Sequence, residues 1–492
     1  MTNIMPFDKT ILLILPILIL SACSTNQATG RNQFTGLMPA SQEAQIGAQE
    51  HQKILQQFGG AVKDKALRDY VTRIGEKIVP HTERKDVKYT FTLLDSPVVN
   101  AFALPGGYVY VTRGILTLAN NEADLAAVIA HEIGHVTARH SAERYSTSVL
   151  TSIGASILSA AIKVDGASQA LGLGANLYLS SYSRHQEHES DDLGIRYLSR
   201  AGYDTMGMAN FLKSLEASSI LEKKEAGKNT QNVPNYLSTH PVTADRVTRS
   251  ITEANKYPKD KKETHRVSYL KQINGMTVGD SAEQGFIDNN KFIHPELGFM
   301  FNIPANFKID NTPKAVIAKS KTKNGPTLIF SSGKKDISQS AMDILTQVVL
   351  KGDTSTARDL GTNMVNGFKT ASAETSGVVG GLKSNIRHIV IEWDKESVYF
   401  FSLVMPERTN VAEIEKLKSS AYSFKRMKAS DKLKYRPKRI QVRVAKSGAT
   451  AATMAKNFPY DDDLNTIRFN VINGLKTSQP LQEGRAYKVI SQ

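Results

Sequence analysis

The spacing of apolar side chains predicts that the first half of the chain is mainly helical. Between residues 43 and 78 apolar positions recur every three or four residues, which is the period of one helix face. Gly59-Gly60 interrupts this stretch and divides it into two helices. The same spacing predicts four more helices, at residues 122–144, 184–200, 206–221 and 243–255.

A small β-structure is predicted among these helices. Residues 88–94 alternate polar and apolar side chains, as a half-buried strand does. Residues 98–104 and 108–112 are mostly apolar or aromatic and flank the turn sequence Pro105-Gly106-Gly107. The pattern therefore predicts a hairpin next to a strand.

Residues 146–181 are unusually small and apolar. We interpret them as a pair of packed helices with a linker, because Lys163 and Asp165 argue against a membrane span. Such a pair could be ordinary core helices. It could also be a lid or a membrane-facing flap.

After about residue 290 the pattern changes to strand-like segments. Strand and turn are predicted at residues 294–304, and helices at residues 338–350 and 411–420. Residues 290–424 contain no evident cluster of metal ligands and no nucleophile setting, so they are predicted to form an α+β accessory domain. Further strands are predicted at residues 315–318, 327–331, 385–393 and 397–404.

The last part of the chain is predicted to follow the order strand, helix, helix, strand over residues 440–490. Residues 444–450, 473–475 and 481–484 resemble the LysM module, a family that binds N-acetylglucosamine polymers. Gly448-Ala449-Thr450 stands where LysM repeats usually have Gly-Asp-Thr. The resemblance implies a small LysM-like module with peptidoglycan as a possible ligand.

The charge balance narrows the class of partners. The 492 residues contain 62 Lys and Arg against 47 Asp and Glu, a net charge of +15, which favours anionic surroundings. No motif for nucleic-acid recognition occurs, so nucleic acid is predicted not to be a partner. The basic segment 425–439 is predicted to be a solvated linker, which could also lie against anionic lipid or wall polymer.

The amino-terminal residues predict a location outside the cytoplasm. Residues 11–20 form a short apolar run that fits a secretory signal, so residues 1–22 are predicted to be a signal peptide. Leu20-Ser21-Ala22-Cys23 resembles the lipobox of bacterial lipoproteins, which implies lipidation of Cys23, the only cysteine. Ser24 after the cysteine indicates the outer membrane. A lone, unused cysteine is the alternative.

The sequence His131-Glu132-Ile133-Gly134-His135 carries the pattern H-E-x-x-H within a predicted helix. Residues four apart share one helix face, so His131 and His135 can present two imidazole nitrogens to one zinc ion. Glu132 can then act as a general base. A chance match is the alternative that the rest of the chain has to decide.

A catalytic zinc ion also needs a third protein ligand. Glu187 and Asp191 stand four apart on one face of a predicted helix. This spacing predicts Glu187 as the third ligand. It also predicts that Asp191 accepts a hydrogen bond from the second ring nitrogen of a metal-binding histidine. His140 and His188 are predicted to have structural or surface roles.

Four motifs, in the right order, are similar to those of the M48 family of zinc metallopeptidases. The resemblance covers about residues 43–257 and implies a mainly helical gluzincin domain with one zinc ion on His131, His135 and Glu187. Ser190 departs from the alanine that is usual in the family. The motifs are N-A-F-A-L-P-G-G at 100–107, H-E-I-G-H-V-T-A-R-H at 131–140, S-R with E-H-E-S-D at 183–191, and S-T-H-P at 238–241.

The resemblance also implies roles for residues around the metal. An edge strand would bind substrate in extended form by strand addition. His240 would either stabilise the oxyanion or occupy the open metal position in a resting enzyme, and Arg246 is a candidate for the same site. Plain packing would also explain a strand beside a turn and a histidine in a loop. The edge strand would consist of Asn100, Ala101, Phe102 and Ala103.

Together these observations predict a multidomain α+β protein that is a lipid-anchored zinc endopeptidase facing the periplasm. Its predicted substrates are misfolded or misassembled envelope proteins. The alternatives are an envelope assembly or chaperone-like factor, and a peptidoglycan-binding scaffold in which proteolysis is secondary. The predicted segments are a signal peptide (1–22), a tether (23–42), the peptidase domain (43–265), the accessory domain (290–424), the basic linker (425–439) and the LysM-like module (440–490).

Overall fold

The computed structural model describes residues 23–162, 180–225, 236–241, 244–258, 263–460 and 463–492. The chain divides into two compact units. The first unit is built from the chain up to Gln56, from Gly60–Val278 and from Arg439–Gln492. The second unit is built from Gln57–Gly59 and Gly279–Lys438. No helix within the described residues is long and apolar enough to cross a membrane.

Helices dominate the first unit, and antiparallel strands dominate the second. Within the described residues the helices are α1 (Ala40–Gln57), α2 (Lys65–Ile78), α3 (Arg113–Leu118), α4 (Glu122–Thr137), α5 (His140–Ile162), α6 (Arg184–Arg200), α7 (Gly207–Glu225), α8 (Tyr236–Thr239), α9 (Ala244–Ala254), α10 (Arg266–Ile273), α11 (Ala341–Ile344), α12 (Val411–Tyr422), α13 (Ala429–Lys434), α14 (Ala451–Ala455) and α15 (Asn465–Ile472). The strands are β1 (Cys23–Thr25), β2 (Asn32–Phe34), β3 (Thr90–Leu94), β4 (Ala101–Leu104), β5 (Tyr108–Thr112), β6 (Phe286–Asp288), β7 (Lys291–His294), β8 (Phe299–Asn302), β9 (Phe307–Asn311), β10 (Ala315–Ser320), β11 (Thr327–Lys334), β12 (Arg358–Val365), β13 (Phe368–Val379), β14 (Leu382–Glu392), β15 (Ser397–Pro406), β16 (Lys425–Arg426), β17 (Arg439–Val444) and β18 (Ala486–Ser491).

Helix α4 is the centre of the first unit. Asn121 caps its start by accepting a hydrogen bond from the Asp124 N–H at 2.9 Å. Every residue of α4 after Glu122 is buried, so the helix has no polar face directed at solvent. The mixed sheet β3–β5–β4 belongs to the same unit, with β3 and β5 parallel and β5 and β4 antiparallel. The predicted hairpin is therefore present, and β4 lies at the edge of its sheet.

The predicted helix over residues 122–144 is in fact two helices. α4 ends at Thr137, α5 begins at His140, and Arg139 between them adopts a left-handed conformation with φ 55°. The Arg139 side chain supports this break, because it donates to the Met38 carbonyl oxygen at 2.7 Å and to Glu43 Oε1 at 2.7 Å. The prediction of one continuous helix was wrong because the break depends on Met38 and Glu43, which lie far from Arg139 in the sequence.

The predicted tether, residues 23–42, is folded. Strands β1 and β2 pair as an antiparallel hairpin, and α1 already begins at Ala40. Buried Asn26 donates from Nδ2 to the Thr137 carbonyl oxygen at 3.1 Å. The prediction of a tether was wrong because its polar residues find partners more than a hundred positions later in the chain.

The carboxyl-terminal segment has the predicted order of strand, helix, helix and strand, here β17, α14, α15 and β18. Phe469 and Tyr487 from this segment belong to the same hydrophobic core as Leu125 of α4. The segment is thus part of the first unit and does not form a module of its own. Its resemblance to LysM stays a prediction.

The second unit contains a seven-stranded sheet in the order β12-β13-β14-β15-β11-β10-β9 and a four-stranded sheet in the order β16-β8-β7-β6. Aromatic rings fill its main core, for example Phe299, Phe330, Phe401 and Phe424. This agrees with the predicted α+β character of residues 290–424.

The predicted basic linker, residues 425–439, also turns out to be folded. Lys425 and Arg426 form β16, which pairs with β8, and Tyr435 after α13 is buried. The charged side chains stay at the surface while the backbone and one aromatic ring hold the segment in the second unit. The prediction of a free linker was wrong because charge density alone does not reveal such anchors.

Two other predicted stretches are only partly described. The helix pair over residues 146–181 begins with α5, which runs to Ile162, and residues 163–179 lie outside the described residues. The helix predicted at residues 206–221 extends further than expected, because α7 continues to Glu225. Residues 226–235 again lie outside the described part of the chain.

Candidate active site

The site lies where α4 and α6 cross at close range. Gly134 on α4 faces the Ser190 backbone, and a Cβ atom at Gly134 would lie 3.1 Å from the Ser190 carbonyl oxygen. Gly194 on α6 faces α4 in the same way, since its Cβ would lie 3.2 Å from the His131 backbone nitrogen. The two glycines let the helix axes approach, which brings the acidic side chains of α6 to the histidines of α4.

Four buried side chains converge at this crossing, and their ligand atoms all lie within 4.8 Å of one another. His131 Nε2 lies 3.0 Å from His135 Nε2, and Glu187 Oε1 lies 3.5 Å from His135 Nε2. His240 Nδ1, from the loop after α8, lies 2.8 Å from Glu187 Oε1 and 3.3 Å from His131 Nε2. The structure thus brings the three predicted ligands together with His240.

This donor set fits a zinc ion. Zinc prefers four nitrogen, sulfur or oxygen ligands in tetrahedral arrangement at about 2.0–2.2 Å, which places the ligand atoms about 3.3 Å apart. The spacings of 2.8 to 3.5 Å between neighbouring ligand atoms are close to that value. His240 Nδ1 lies among these ligand atoms, and its role at the centre stays a prediction.

Glu132 lies beside these ligands and differs from them in its hydrogen bonding. It is fully buried, and neither carboxylate oxygen accepts a hydrogen bond from the described residues. The His240 Nε2 atom lies 3.6 Å from Glu132 Oε1. Burial raises the pKa of Glu132, so its carboxylate has an increased affinity for a proton. A buried carboxylate without partners is costly and indicates a group kept for an incoming water or substrate.

Asp191 and Arg246 support the metal ligands from behind. Asp191 Oδ1 lies 2.9 Å from His131 Nδ1, the contact expected of a residue that orients a metal-binding histidine. Arg246 donates to both Asp191 oxygens, at 2.9 and 2.8 Å, and pairs with Glu187. Although burial alone would raise it, the Arg246 charge and the His131 hydrogen bond hold the pKa of Asp191 below its usual range.

Arg246, predicted as a candidate for the same site as His240, contacts the predicted ligand Glu187 directly. Its guanidinium is buried against two carboxylates on the α6 side of the ligands. This favours a positioning role for Arg246, since its donors are already committed to Asp191, Glu187 and the Pro241 carbonyl oxygen.

Two aromatic rings that sequence reasoning missed enclose the imidazoles. The Tyr182 ring stacks on His135 with centroids 3.7 Å apart, and the Tyr236 ring stacks on His240 at 4.5 Å. Tyr182 precedes α6 and Tyr236 begins α8, so neither position is recognisable as part of the site from spacing along one helix. Both rings are themselves buried, so they shield these imidazoles from solvent.

The predicted substrate strand is present, and its residues are buried. Ala101, Phe102 and Ala103 lie in β4, and Asn100 precedes the strand; all four are buried. The Tyr236 N–H donates to the Val99 carbonyl oxygen at 2.8 Å, next to this strand. The segment that carries His240 is thus hydrogen-bonded beside the predicted substrate edge. The substrate role of the edge strand stays a prediction.

A helix with H-E-x-x-H, combined with a glutamate from a second helix, defines a two-histidine, one-glutamate metal centre of the zinc-peptidase class. Residues 65–253 match the family model described as Peptidase family M48. This part of the chain is thus similar to the M48 peptidases, and within the described residues His131, His135, Glu187 and His240 are a group able to hold the zinc ion that this class uses.

Curated relatives share this part of the chain. The beta-barrel assembly-enhancing protease of Escherichia coli (strain K12) is 31% identical over 203 residues, which cover 39% of this chain and 40% of that protein. The mitochondrial metalloendopeptidase OMA1 of Schizosaccharomyces pombe is 33% identical over 184 residues, 37% of this chain and 52% of that one. The chain thus matches about half or less of each relative's length.

Proposed function

We propose that this chain is a zinc-dependent endopeptidase that hydrolyses peptide bonds of envelope proteins in quality control at the periplasmic face of the outer membrane. The observation that carries the proposal is the proximity of a closed group of candidate metal ligands to Glu132, whose carboxylate accepts no hydrogen bond within the described part of the chain. Similarity to relatives named as a protease and a metalloendopeptidase supports it.

The roles of the residues follow from their positions. His131, His135 and Glu187 would hold zinc, which would polarise a carbonyl group and acidify water. Glu132 accepts a proton from the attacking water and delivers it to the amine that leaves, so one carboxylate serves both steps. Asp191 Oδ1 contacts the Nδ1 atom of His131, and this contact orients the Nε2 atom toward the metal position. His240 has to leave its resting place before a substrate carbonyl can reach the centre.

The location and partners belong to the same proposal. Lipidation of Cys23 would hold the enzyme at the membrane, and the name of the Escherichia coli relative links that protease to beta-barrel assembly, a role that we extend to this chain. We also retain peptidoglycan or anionic lipid as a partner, on the basic charge of the chain. Because residues 439–492 share the core of the first unit, a wall-binding test requires the full chain.

The test is Glu132→Gln in the full chain, compared with Glu122→Gln as a matched control. Both substitutions replace a carboxylate by an amide in α4, but Glu122 only accepts hydrogen bonds from the Tyr70 and Tyr203 hydroxyls, each at 2.8 Å. We expect Glu132→Gln to keep one zinc per chain and to lower cleavage of unfolded casein by at least ~100-fold. Glu122→Gln should cleave normally. Full activity of Glu132→Gln would refute the proposed mechanism.

A second candidate function is an assembly or chaperone-like role in which proteolysis is secondary. It is favoured by the closed site, in which His240 lies among the metal ligands. Expression of the Glu132→Gln form in a strain that lacks the protein separates the two. Relief of envelope stress by the inactive form would support the assembly role, whereas failure to relieve it would support the protease.

A further inference from the structure

The two predicted metal-binding histidines are oriented by different sets of neighbouring side chains. His131 is supported by Asp191 and Arg246, which both lie in the segment matched to the peptidase family. His135 is supported by a longer chain of contacts that ends on Arg31, in the β1–β2 hairpin. Arg31 lies outside the matched segment, residues 65–253.

The contacts behind His135 form a continuous series. His135 Nδ1 lies 2.8 Å from His140 Nδ1, and His140 Nε2 lies 2.9 Å from Glu189 Oε2. Glu189 is held by Arg31, whose Nη2 lies 3.2 Å from Oε2. Arg31 also forms a two-pronged ion pair with Glu143, at 2.6 and 2.9 Å. The arginine therefore bridges α5, which carries Glu143, and α6, which carries Glu189.

A single arrangement of protons satisfies this series. If His135 binds the metal through Nε2, its Nδ1 carries a hydrogen and donates it to His140 Nδ1. His140 must then be neutral with its hydrogen on Nε2, which it donates to the Glu189 carboxylate. Glu189 accepts this hydrogen through Oε2, and Arg31 pairs with the same oxygen. Each member thus determines the orientation of the next toward the metal ligand.

The hairpin itself is attached close to the centre. Asn26 donates to the Thr137 carbonyl oxygen at the end of α4, and the Ala28 carbonyl oxygen accepts from Arg196 Nη2 at 2.9 Å. His140 is fully buried, whereas the Arg31 side chain is 26% exposed. A contact series thus runs from a partly exposed residue, eight positions after Cys23, to a buried metal ligand.

We propose that Arg31 is a positioning residue of the metal centre: through Glu189 and His140 it holds His135 in its metal-binding orientation, so that docking of the β1–β2 hairpin sets the metal affinity. The proposal rests on the metal site of the proposed function but not on peptide cleavage. Its consequence is that a segment next to the candidate lipidation site is linked to the centre by direct contacts.

The experiment measures zinc affinity in a Glu132→Gln background, where no self-cleavage can occur. Zinc is titrated against a chromophoric chelator, and the absorption bands of bound Co²⁺ report the ligand geometry. Loss of a supporting partner typically weakens metal binding 10–100-fold. We expect about that loss for Glu189→Gln and a smaller one, about 3–10-fold, for Arg31→Gln, both with shifted Co²⁺ bands.

Arg196→Gln is the matched control, because it removes an arginine that holds the same hairpin at Ala28 without touching Glu189. Its zinc affinity and Co²⁺ bands should equal those of the parent. The double variant Arg31→Gln/Glu189→Gln should bind zinc as weakly as Glu189→Gln alone, since both changes act through one series. Arg31→Lys, which keeps the charge but not the two-pronged contact, should recover part of the affinity.

Parental zinc affinity and Co²⁺ bands in Arg31→Gln, with only a lower melting temperature, would overturn the proposal. Equal losses in Arg31→Gln and Arg196→Gln would do the same, because they would indicate general loosening. If Arg31→Gln does not fold, the zinc affinity and Co²⁺ bands of Arg31→Lys and Glu189→Gln are compared with those of the parent and of Arg196→Gln, and the same outcomes decide. Failure of the proposed function would be recognised separately, as a zinc-loaded wild type that cleaves nothing.

Discussion

The two ends of helix α4 bury charge in different ways. Near its start, fully buried Lys488 donates to the carbonyl oxygens of Thr117 and Ala119, at 2.8 and 2.6 Å. Near its end, fully buried Glu132 accepts no hydrogen bond from the described residues. Both groups are removed from water, but within the described residues only the lysine has hydrogen-bond partners. Burial of an ionisable group therefore does not identify a functional site, whereas a buried ionisable group without hydrogen bonds indicates one.

The largest expected effect on stability is at the metal end, the end of α4 that carries His131, Glu132 and His135. Arg246→Met leaves Asp191 and Glu187 buried without their cation, which should lower the free energy of unfolding by about 3–5 kcal/mol and weaken zinc binding. Denaturant unfolding of the full chain measures the first effect. The control is Arg249→Met, which removes the surface pair with Asp192 and should cost less than about 1 kcal/mol. Equal costs would contradict the account of the metal end.

At the other end, Lys488→Met should change stability but not chemistry. It leaves the Thr117 and Ala119 carbonyl oxygens without a donor, at a cost of about 1–3 kcal/mol each, partly offset because no amine has to be buried. We expect a net loss of about 2–4 kcal/mol with normal zinc content and casein cleavage per folded molecule. Exposed Lys476 in the same segment provides the control, Lys476→Met. Loss of zinc in Lys488→Met would break the distinction between the two ends.

The smallest effect is a pH dependence at the start of α4. Burial raises the pKa of Asp124 to about 6. The unfolded chain releases this proton near pH 4, so the stability that protonated Asp124 contributes is complete below pH 4 and is lost as the pH rises through 6. Asp124→Asn should remove about 2–3 kcal/mol of this pH dependence. The difference in unfolding free energy between wild type and variant, followed from pH 4 to 7.5, checks it, and a constant difference would be inconsistent with the raised pKa.

The sequence allowed more of the metal centre to be predicted than of its surroundings. His131, His135 and Glu187 could be found because helix periodicity places residues four apart on one face, and the structure brings these side chains together. Tyr182 and Arg31 could not be found, because their contacts join segments far apart in the chain and leave no period. Arg246 was recognised as part of the site, but its partners depend on how α9 packs against α6.

Prediction of the fold was limited in the same way, by contacts between segments that are far apart in the chain. The helices of the first half and the hairpin β4–β5 follow from local patterns, and they are present near the expected residues. The break after α4 and the folded segments 23–42 and 425–434 were not predictable. They depend on anchors such as Asn26, Arg139 and Tyr435, whose partners are set by tertiary structure.

The central claim is that one zinc ion binds at the crossing of α4 and α6 and that Glu132 stands beside it unbound. The direct measurement is a zinc-loaded crystal structure of the full chain with anomalous diffraction recorded at the zinc edge. The account predicts one anomalous peak bonded to His131, His135 and Glu187, with His240 or water completing the coordination. A protein that takes up no zinc, or a peak at any other set of residues, would contradict it.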